Sequence, residues 1–511
     1  MDLSEREYSF TILKRIFRKD NTFAEKEALL AFMGNHCYNG PWIEMNNEVD
    51  SMKYNSQQKR QAMLFLFGLV LLAVNTLLFG VLWYRYYRNQ MYIYTFFAKG
   101  DIGVIGLFGL LYFIFARLYG GFDVMFHSVE ELAYSHVVAL ALSCGMMYFV
   151  TALLVRAMPN VGPMLLMMLC AALASLLWAL CAKKLTLKLL RPRPTVLIYD
   201  NRDAREDGEA ILKSLPGGFT LLSSVSAEAG KDAIQALLRE KNARAVMLCG
   251  IPSSVRNDLV KFCIDNGIEA YVRPNIGDFL IKGAKQLQLD NLPVLLCQRS
   301  SPAIWYLAVK RIMDIVLSLL ALVVFSPFML VTAIAIKLYD GGPILYKQVR
   351  LTKDRKEFNL YKFRSMRVDA EKDGVARLAK EHDDRITPVG RIIRMVRIDE
   401  TPQLFCILSG AMSIVGPRPE RPEIAAQYEK EMPEFALRLQ AKAGLTGMAQ
   451  VYGKYNTTPY NKLQMDLQYI GSMGIVTDLK LMFATVKILF QPESTEGVSQ
   501  SQTTASRNEE K

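Results

Sequence analysis

IMDIVLSLLALVVFSPFMLVTAIAIK, residues 312–337, is the stretch on which the architecture turns. It is mostly apolar and long enough to enter a bilayer. Yet Asp314 stands near its start and Ser326-Pro327 in its middle. A proline removes a helix hydrogen bond and clashes with the preceding turn, so the sequence predicts a kink at Ser326-Pro327. Lys310 and Arg311 precede the stretch, and Lys337, Lys347 and Arg350 follow it. A crossing helix places one basic group outside the cell, against the cytoplasmic preference of lysine and arginine. A re-entrant helix over 312–337, entering and leaving by one face, keeps both groups inside. An ordinary spanning helix with a proline kink is the alternative that charge and proline leave open.

Working back toward the N-terminus, residues 63–84, 102–119, 137–155 and 161–181 are apolar enough to span. They predict four transmembrane helices within 61–185, the last two separated by a turn at Pro159-Asn160. Lys183, Lys184, Lys188, Arg191 and Arg193 follow the fourth and place the rest of the chain in the cytoplasm. Arg85, Arg88 and Lys99 in the first loop oppose that orientation. Residues 1–60 are polar and of mixed charge, read as a cytoplasmic segment without a signal peptide.

Arg191-Pro-Arg-Pro194 is a stiff linker. Beyond it, strands at Val196–Tyr199, Ala245–Cys249 and Glu269–Val272 alternate with helices near Ala204–Leu215 and Val255–Asn266. This predicts a small parallel α/β domain over 195–298. A dinucleotide site needs G-x-G-x-x-G after the first strand; Asp200-Asn-Arg-Asp-Ala204 stands there instead. The bland role for this domain is structural or regulatory.

The chain carries 61 Lys and Arg against 49 Asp and Glu, a net charge of +12. Such a balance suits nucleic acid, an anionic membrane or a phosphorylated substrate. The apolar runs favour membrane, and no groove-reading or base-stacking motif supports nucleic acid. Eight cysteines without a C-x-x-C pair, and four scattered histidines, suggest neither a zinc site nor a disulfide framework.

Toward the C-terminus the chain becomes polar, basic and rich in motifs. Residues 387–420 read TPVGRIIRMVRIDETPQLFCILSGAMSIVGPRPE. Arg391, Arg394 and Arg397 recur every three residues, predicting a stripe on one side of a helix that leads into Asp399-Glu400. Pro417-Arg418-Pro419 is a rigid loop with one guanidinium. Lys362 and Arg364 stand in YKFRSM; Gly444–Gln450 reads GLTGMAQ, followed by Lys454 and Asp466. Cations and glycine-rich loops hold phosphate oxygens. An aspartate can attack phosphorus, and a neighbouring carboxylate can hold magnesium. Taken singly each piece is weak, since an Asp-Glu pair is usually a solvated face. Their order is the specific signal.

From Lys310 to Phe490 the chain resembles the bacterial sugar transferase family, the monotopic phosphoglycosyl transferases. The resemblance lies in KRIMDI, Ser326-Pro327, YKFRSM, DETPQL, SIVGPRP and GLTGMAQ. The whole chain resembles the long members, with four transmembrane helices and a Rossmann-like domain before a mainly α catalytic domain, here 302–490. The resemblance implies a re-entrant helix broken at Ser326-Pro327. It implies a catalytic domain at the cytoplasmic face of the bacterial inner membrane. It also implies that Asp399 attacks the β-phosphate of a UDP-sugar, releases UMP and passes the phosphosugar to polyprenyl (undecaprenyl) phosphate. Glu400, beside Asp399, would bind Mg2+. Lys362, Arg364, Arg418 and Lys454 would contact phosphate or nucleotide, and Pro417 and Pro419 would shape the uridine pocket. Gln450 and Asp466 match recurrent substrate-site positions.

The implied pathway is the initiation of capsule, exopolysaccharide or O-antigen synthesis. The four-helix and Rossmann-like parts are candidate homodimer surfaces, and 491–511 is expected to be a disordered tail. The chain departs from the family pattern at Thr401, Cys406, Ala411 and Lys454, where leucine, asparagine, aspartate and arginine are usual, and near Thr352, which lacks a second glycine. An inactive scaffold for polysaccharide assembly is the competing reading. The intact Asp399, Glu400, Lys362 and Arg418 argue against it.

Overall fold

The computed structural model describes residues 63–91, 98–124, 127–189, 192–214, 218–289, 292–368, 385–453 and 457–489. The N-terminal segment 1–60, the tail 491–511 and Lys454 lie outside the described residues.

Inside hydrocarbon only a helix satisfies its own backbone, so the apolar runs become helices. They are α1 (Met63–Gln90), α2 (Ala98–Leu118), α3 (Val129–Val155) and α4 (Gly162–Leu189). α3 begins eight residues before the predicted span because Ser128 and Glu131 form a reciprocal cap. Its polar first turns hid it from a hydropathy reading. The helices pack through aromatic contacts: Phe79 stacks on Phe108 at 4.3 Å, and Trp178 Nε1 donates to the Phe67 carbonyl at 2.9 Å. Arg88, a cation that opposed the predicted orientation, pairs at 2.9 Å with Asp101, which also accepts from Trp83 Nε1 at 2.8 Å. That pairing offsets its charge within the protein.

A parallel sheet follows. β1 (Arg193–Tyr199), α5 (Arg202–Ser214), β2 (Phe219–Ser226), α6 (Lys231–Glu240), β3 (Ala245–Cys249), α7 (Ser253–Asp265) and β4 (Glu269–Val272) alternate along the chain. The strand order is β2-β1-β3-β4, all parallel. β3 is buried throughout, as an apolar run covered on both faces should be. β2 escaped the sequence reading because it is an edge strand with four serines and threonines in eight residues. α8 (Ile276–Lys282) and the hairpin β5 (Lys285–Leu289), β6 (Leu292–Leu296) complete this region.

The decisive stretch forms α9 (Ile304–Asp340), a single helix longer at both ends than the predicted 312–337. The expected interruption of helix at Ser326-Pro327 is corrected: helical structure continues through Pro327. The Val323 carbonyl should accept from residue 327, which has no amide hydrogen. Ser326 Oγ donates to that carbonyl at 2.9 Å instead. Residues 323–328 are exposed in succession, while Ala321 and Leu322 on one flank and Met329 and Ala333 on the other pack on the C-terminal domain. Both ends of α9 are tied to that domain. Arg311 donates to the Ile407 and Leu408 carbonyls at 2.6 and 2.7 Å, and Asp340 pairs with Arg364. Among the described residues, α1–α4 and α9 are five helices long and apolar enough to cross a membrane.

The C-terminal region wraps α9 with short elements. The hairpin β7 (Leu345–Leu351), β8 (Glu357–Phe363) precedes α10 (Pro388–Met395), a 3-10 turn at Ile398–Glu400 and α11 (Gln403–Leu408). β9 (Ser413–Val415) pairs in parallel with β10 (Gly444–Thr446), and α12 (Pro422–Glu431) lies between them in sequence. α13 (Met448–Tyr452), α14 (Pro459–Gly471) and α15 (Ile475–Leu489) close the domain over a core that includes Phe435, Leu463, Leu467 and Tyr469. α15 also meets the transmembrane helices: Tyr119 Oη donates to the Phe483 carbonyl at 3.0 Å, Tyr134 Oη to that of Lys487, and Lys487 Nζ to Ser135 Oγ at 2.8 Å.

Candidate active site

α10 starts at a strong cap. Thr387 Oγ1 accepts from the Gly390 amide at 2.9 Å, and Pro388 occupies the first turn, where its missing amide hydrogen costs nothing. The predicted arginine stripe does not survive intact. The helix ends at Met395, and Arg397 adopts a left-handed backbone with φ 54°. Only Arg391 and Arg394 lie on α10. The physical reason is the turn itself. A left-handed residue redirects the chain, so Asp399 and Glu400 sit on a separate 3-10 turn. A non-glycine residue held there stores backbone strain beside the carboxylates.

Two cations converge on that turn. Lys362 Nζ, from β8, lies 2.7 Å from Glu400 Oε1, and Arg418 Nη2, from the proline-flanked loop after β9, lies 3.0 Å from the same oxygen. Burial opposes ionisation of Glu400, but Lys362 and Arg418 outweigh it and hold the carboxyl well below its ordinary value. Asp399 receives less compensation. Burial, then the Glu400 charge, lifts its carboxyl to about 6. Two adjacent carboxylates are thereby pushed apart in acidity. Glu400 is a fixed anion, and Asp399 is the less compensated carboxylate beside it.

Among the described residues there is no group of three or more His, Cys, Asp and Glu side chains placed to hold a metal ion. Magnesium commonly takes only one or two carboxylates, with waters and substrate phosphates completing its shell. The Asp399–Glu400 donor set fits that habit.

The other predicted site residues divide. Pro417, Arg418 and Pro419 line a narrow crevice against Phe435 and Arg438, and neither Asp399 nor Glu400 borders it. The side-chain amide of Gln450 is buried, with neither its nitrogen nor its oxygen hydrogen-bonded. Asp466 is 1% exposed and pairs with Arg438 at 2.7 Å, so it lies behind the loop. Arg364 is also away from the dyad: it bonds the Pro343 carbonyl at 2.7 Å and Asp340, fastening the end of α9 to β8. Arg438 and Arg350 are the residues the sequence reading missed. Each bonds the backbone of the Arg418 loop, and neither lies in a spaced motif.

Residues 305–492 match the family described as bacterial sugar transferase. A UDP-N-acetylgalactosamine-undecaprenyl-phosphate N-acetylgalactosaminephosphotransferase of Aeromonas hydrophila is 39% identical over 191 residues, 37% of this chain and 45% of that protein. The exopolysaccharide production protein PSS of Rhizobium leguminosarum bv. phaseoli is 42% identical over 189 residues, 35% of this chain and 94% of that protein. A UDP-glucose:undecaprenyl-phosphate glucose-1-phosphate transferase of Escherichia coli (strain K12) is 34% identical over 233 residues, 45% of this chain and 50% of that protein. The match thus spans about half the length of the Aeromonas and Escherichia proteins.

Proposed function

This chain belongs to the bacterial sugar transferase family, and from that premise we propose that it moves a sugar-1-phosphate from a UDP-sugar to polyprenyl phosphate. The supporting observation is the dyad, with Glu400 gripped by Lys362 and Arg418 and Asp399 left as the less compensated carboxylate beside it.

In this reading Asp399 attacks the β-phosphorus. An Asp399 oxygen–phosphorus bond forms, the bond to the bridging oxygen breaks, and UMP leaves. The phosphosugar stays on the enzyme as an acyl phosphate. An oxygen of polyprenyl phosphate then attacks the same phosphorus, and Asp399 departs as the carboxylate. Lys362 and Arg418 neutralise Glu400 and supply positive charge where the phosphoryl oxygens sit. Mg2+, held by Glu400 with Asp399, would neutralise diphosphate charge. Pro417 and Pro419 would shape the uridine pocket, and Gln450, whose side-chain amide has no hydrogen-bond partner among the described residues, would contact substrate. α9 re-enters by one face, with exposed residues 323–328 as its apex, which keeps the dyad on the cytoplasmic side of the inner membrane. The product would initiate capsule, exopolysaccharide or O-antigen assembly.

The test uses UDP-glucose and UDP-N-acetylgalactosamine labelled in the β-phosphate, with magnesium and no polyprenyl phosphate. The expected outcome is immediate UMP release and a labelled adduct on the peptide containing Asp399. Asp399→Asn removes both. UMP formed only when both substrates are present, or near-native turnover by folded Asp399→Asn, rules the mechanism out.

A further inference from the structure

Pro417 and Pro419 have no amide hydrogen, so the loop carrying Arg418 offers the fold few handles other than its carbonyls. Four successive carbonyls are taken. That of Pro417 accepts from the Gly444 amide at 2.9 Å and that of Glu420 from the Leu351 amide at 3.0 Å. The two between them are held by side chains: Arg438 Nη2 donates to the Arg418 carbonyl at 2.8 Å, and Arg350 Nη1 to the Pro419 carbonyl at 3.0 Å. Backbone therefore anchors the two ends of the loop, and guanidinium groups anchor its middle.

Arg438 is itself locked from several sides. It is 3% exposed, its guanidinium lies 4.8 Å over the Phe435 ring, and it pairs with Asp466 at 2.7 Å and Glu420 at 3.6 Å. A planar fork can serve a carbonyl and two carboxylates at once, whereas a lysine ammonium concentrates its donors on one atom. We infer that Arg438, oriented by Asp466, is a positioning residue that sets the loop so that the Arg418 guanidinium meets Glu400. It touches neither Asp399 nor Glu400 and acts through the Arg418 backbone. The inference rests on the reading of Asp399, Glu400 and Arg418 as the reacting site. It moves Asp466 from substrate contact to loop support.

The experiment compares wild type, Arg438→Lys, Arg418→Ala and their double variant in detergent. UMP release from UDP-glucose and UDP-N-acetylgalactosamine is one readout, and hydrogen exchange of the peptide spanning 413–421 is the other. Arg438→Lys should quicken exchange in that peptide and lower kcat on the order of tenfold, the scale of coupling between contacting residues. In the Arg418→Ala background the same substitution should change kcat by less than about twofold, because the guanidinium it positions is gone. If Arg438→Lys fails to fold, Arg438→Gln combined with Asp466→Asn replaces it, since that pair leaves no lone buried carboxylate. Unchanged loop exchange, or losses that multiply in the double variant, overturns the inference. If wild type releases no UMP from any UDP-sugar, the proposed function fails while the exchange readout still decides the role of Arg438.

Discussion

Asp399→Asn should make the protein more stable and catalytically dead, with the gain confined to one pH range. Burial and the neighbouring Glu400 charge lift the Asp399 carboxyl from 3.8 to about 6 in the folded protein. At about 1.36 kcal/mol per pKa unit, ionised Asp399 costs the folded state roughly 3 kcal/mol. The residue is partly exposed, so solvent screening brings the expected value to about 2 kcal/mol. The sign follows from proton binding. A carboxyl with a raised folded-state pKa stabilises the fold fully below 3.8, and that contribution is lost as pH rises through about 6. Asparagine has no proton to lose. The variant should match wild type near pH 4 and exceed it near pH 8, by about 4–8 °C in melting temperature for a domain of this size. Glu400 has the opposite sign. Its depressed pKa places its window below 4.5, and both proteins share it. The assay is thermal unfolding of both proteins in one detergent across this pH range. An Asn variant no more stable than wild type at the higher pH refutes the claim that the site penalises the Asp399 charge. The same proton should govern kinetics, with wild-type UMP release falling as pH drops through about 6, because the neutral acid does not attack.

Two further predictions test the frame around the site. A Cβ on Gly416 would lie 2.2 Å from the Lys442 carbonyl, where β9 and β10 pack backbone to backbone. Gly416→Ala should therefore cost about 3 kcal/mol and reduce UMP release; unchanged melting and turnover would show that the close approach is dispensable. Cysteines introduced at Lys310 and Lys347 should both resist an impermeant thiol reagent in intact cells. Labelling of only one would make α9 a crossing helix.

Much of this architecture is legible in residue order, because burial in lipid demands unbroken apolar runs, and α1–α4 and α9 supply them. The misread parts are those where tertiary contacts override local pattern. The first turns of α3 are polar because they lie outside the apolar span and end in a reciprocal cap. β2 is polar because it pairs on one side only. The stripe broke at Arg397 because one backbone angle, invisible in a three-residue repeat, turns the chain. Lys362 and Glu400, 38 residues apart, came together through family resemblance rather than spacing. No pattern marks Arg438, whose partners on the Arg418–Glu420 loop and at Asp466 on α14 come from two separate segments and meet only in the folded domain.

The docking of α15 on the transmembrane helices has a consequence for biosynthesis. Tyr119 and Tyr134 emerge early in synthesis, whereas their acceptors at Phe483 and Lys487 lie 364 and 353 residues downstream. Contacts of such separation form late, since the intervening chain must be made and brought together first. α15 also carries Thr485, whose hydroxyl lies 2.6 Å from that of Thr446 in β10. The strand pair that leads into the Arg418 loop therefore gains its last support only when nearly the whole polypeptide has left the ribosome. A nascent chain therefore carries Asp399, Glu400, Lys362 and Arg418 before this last support is in place.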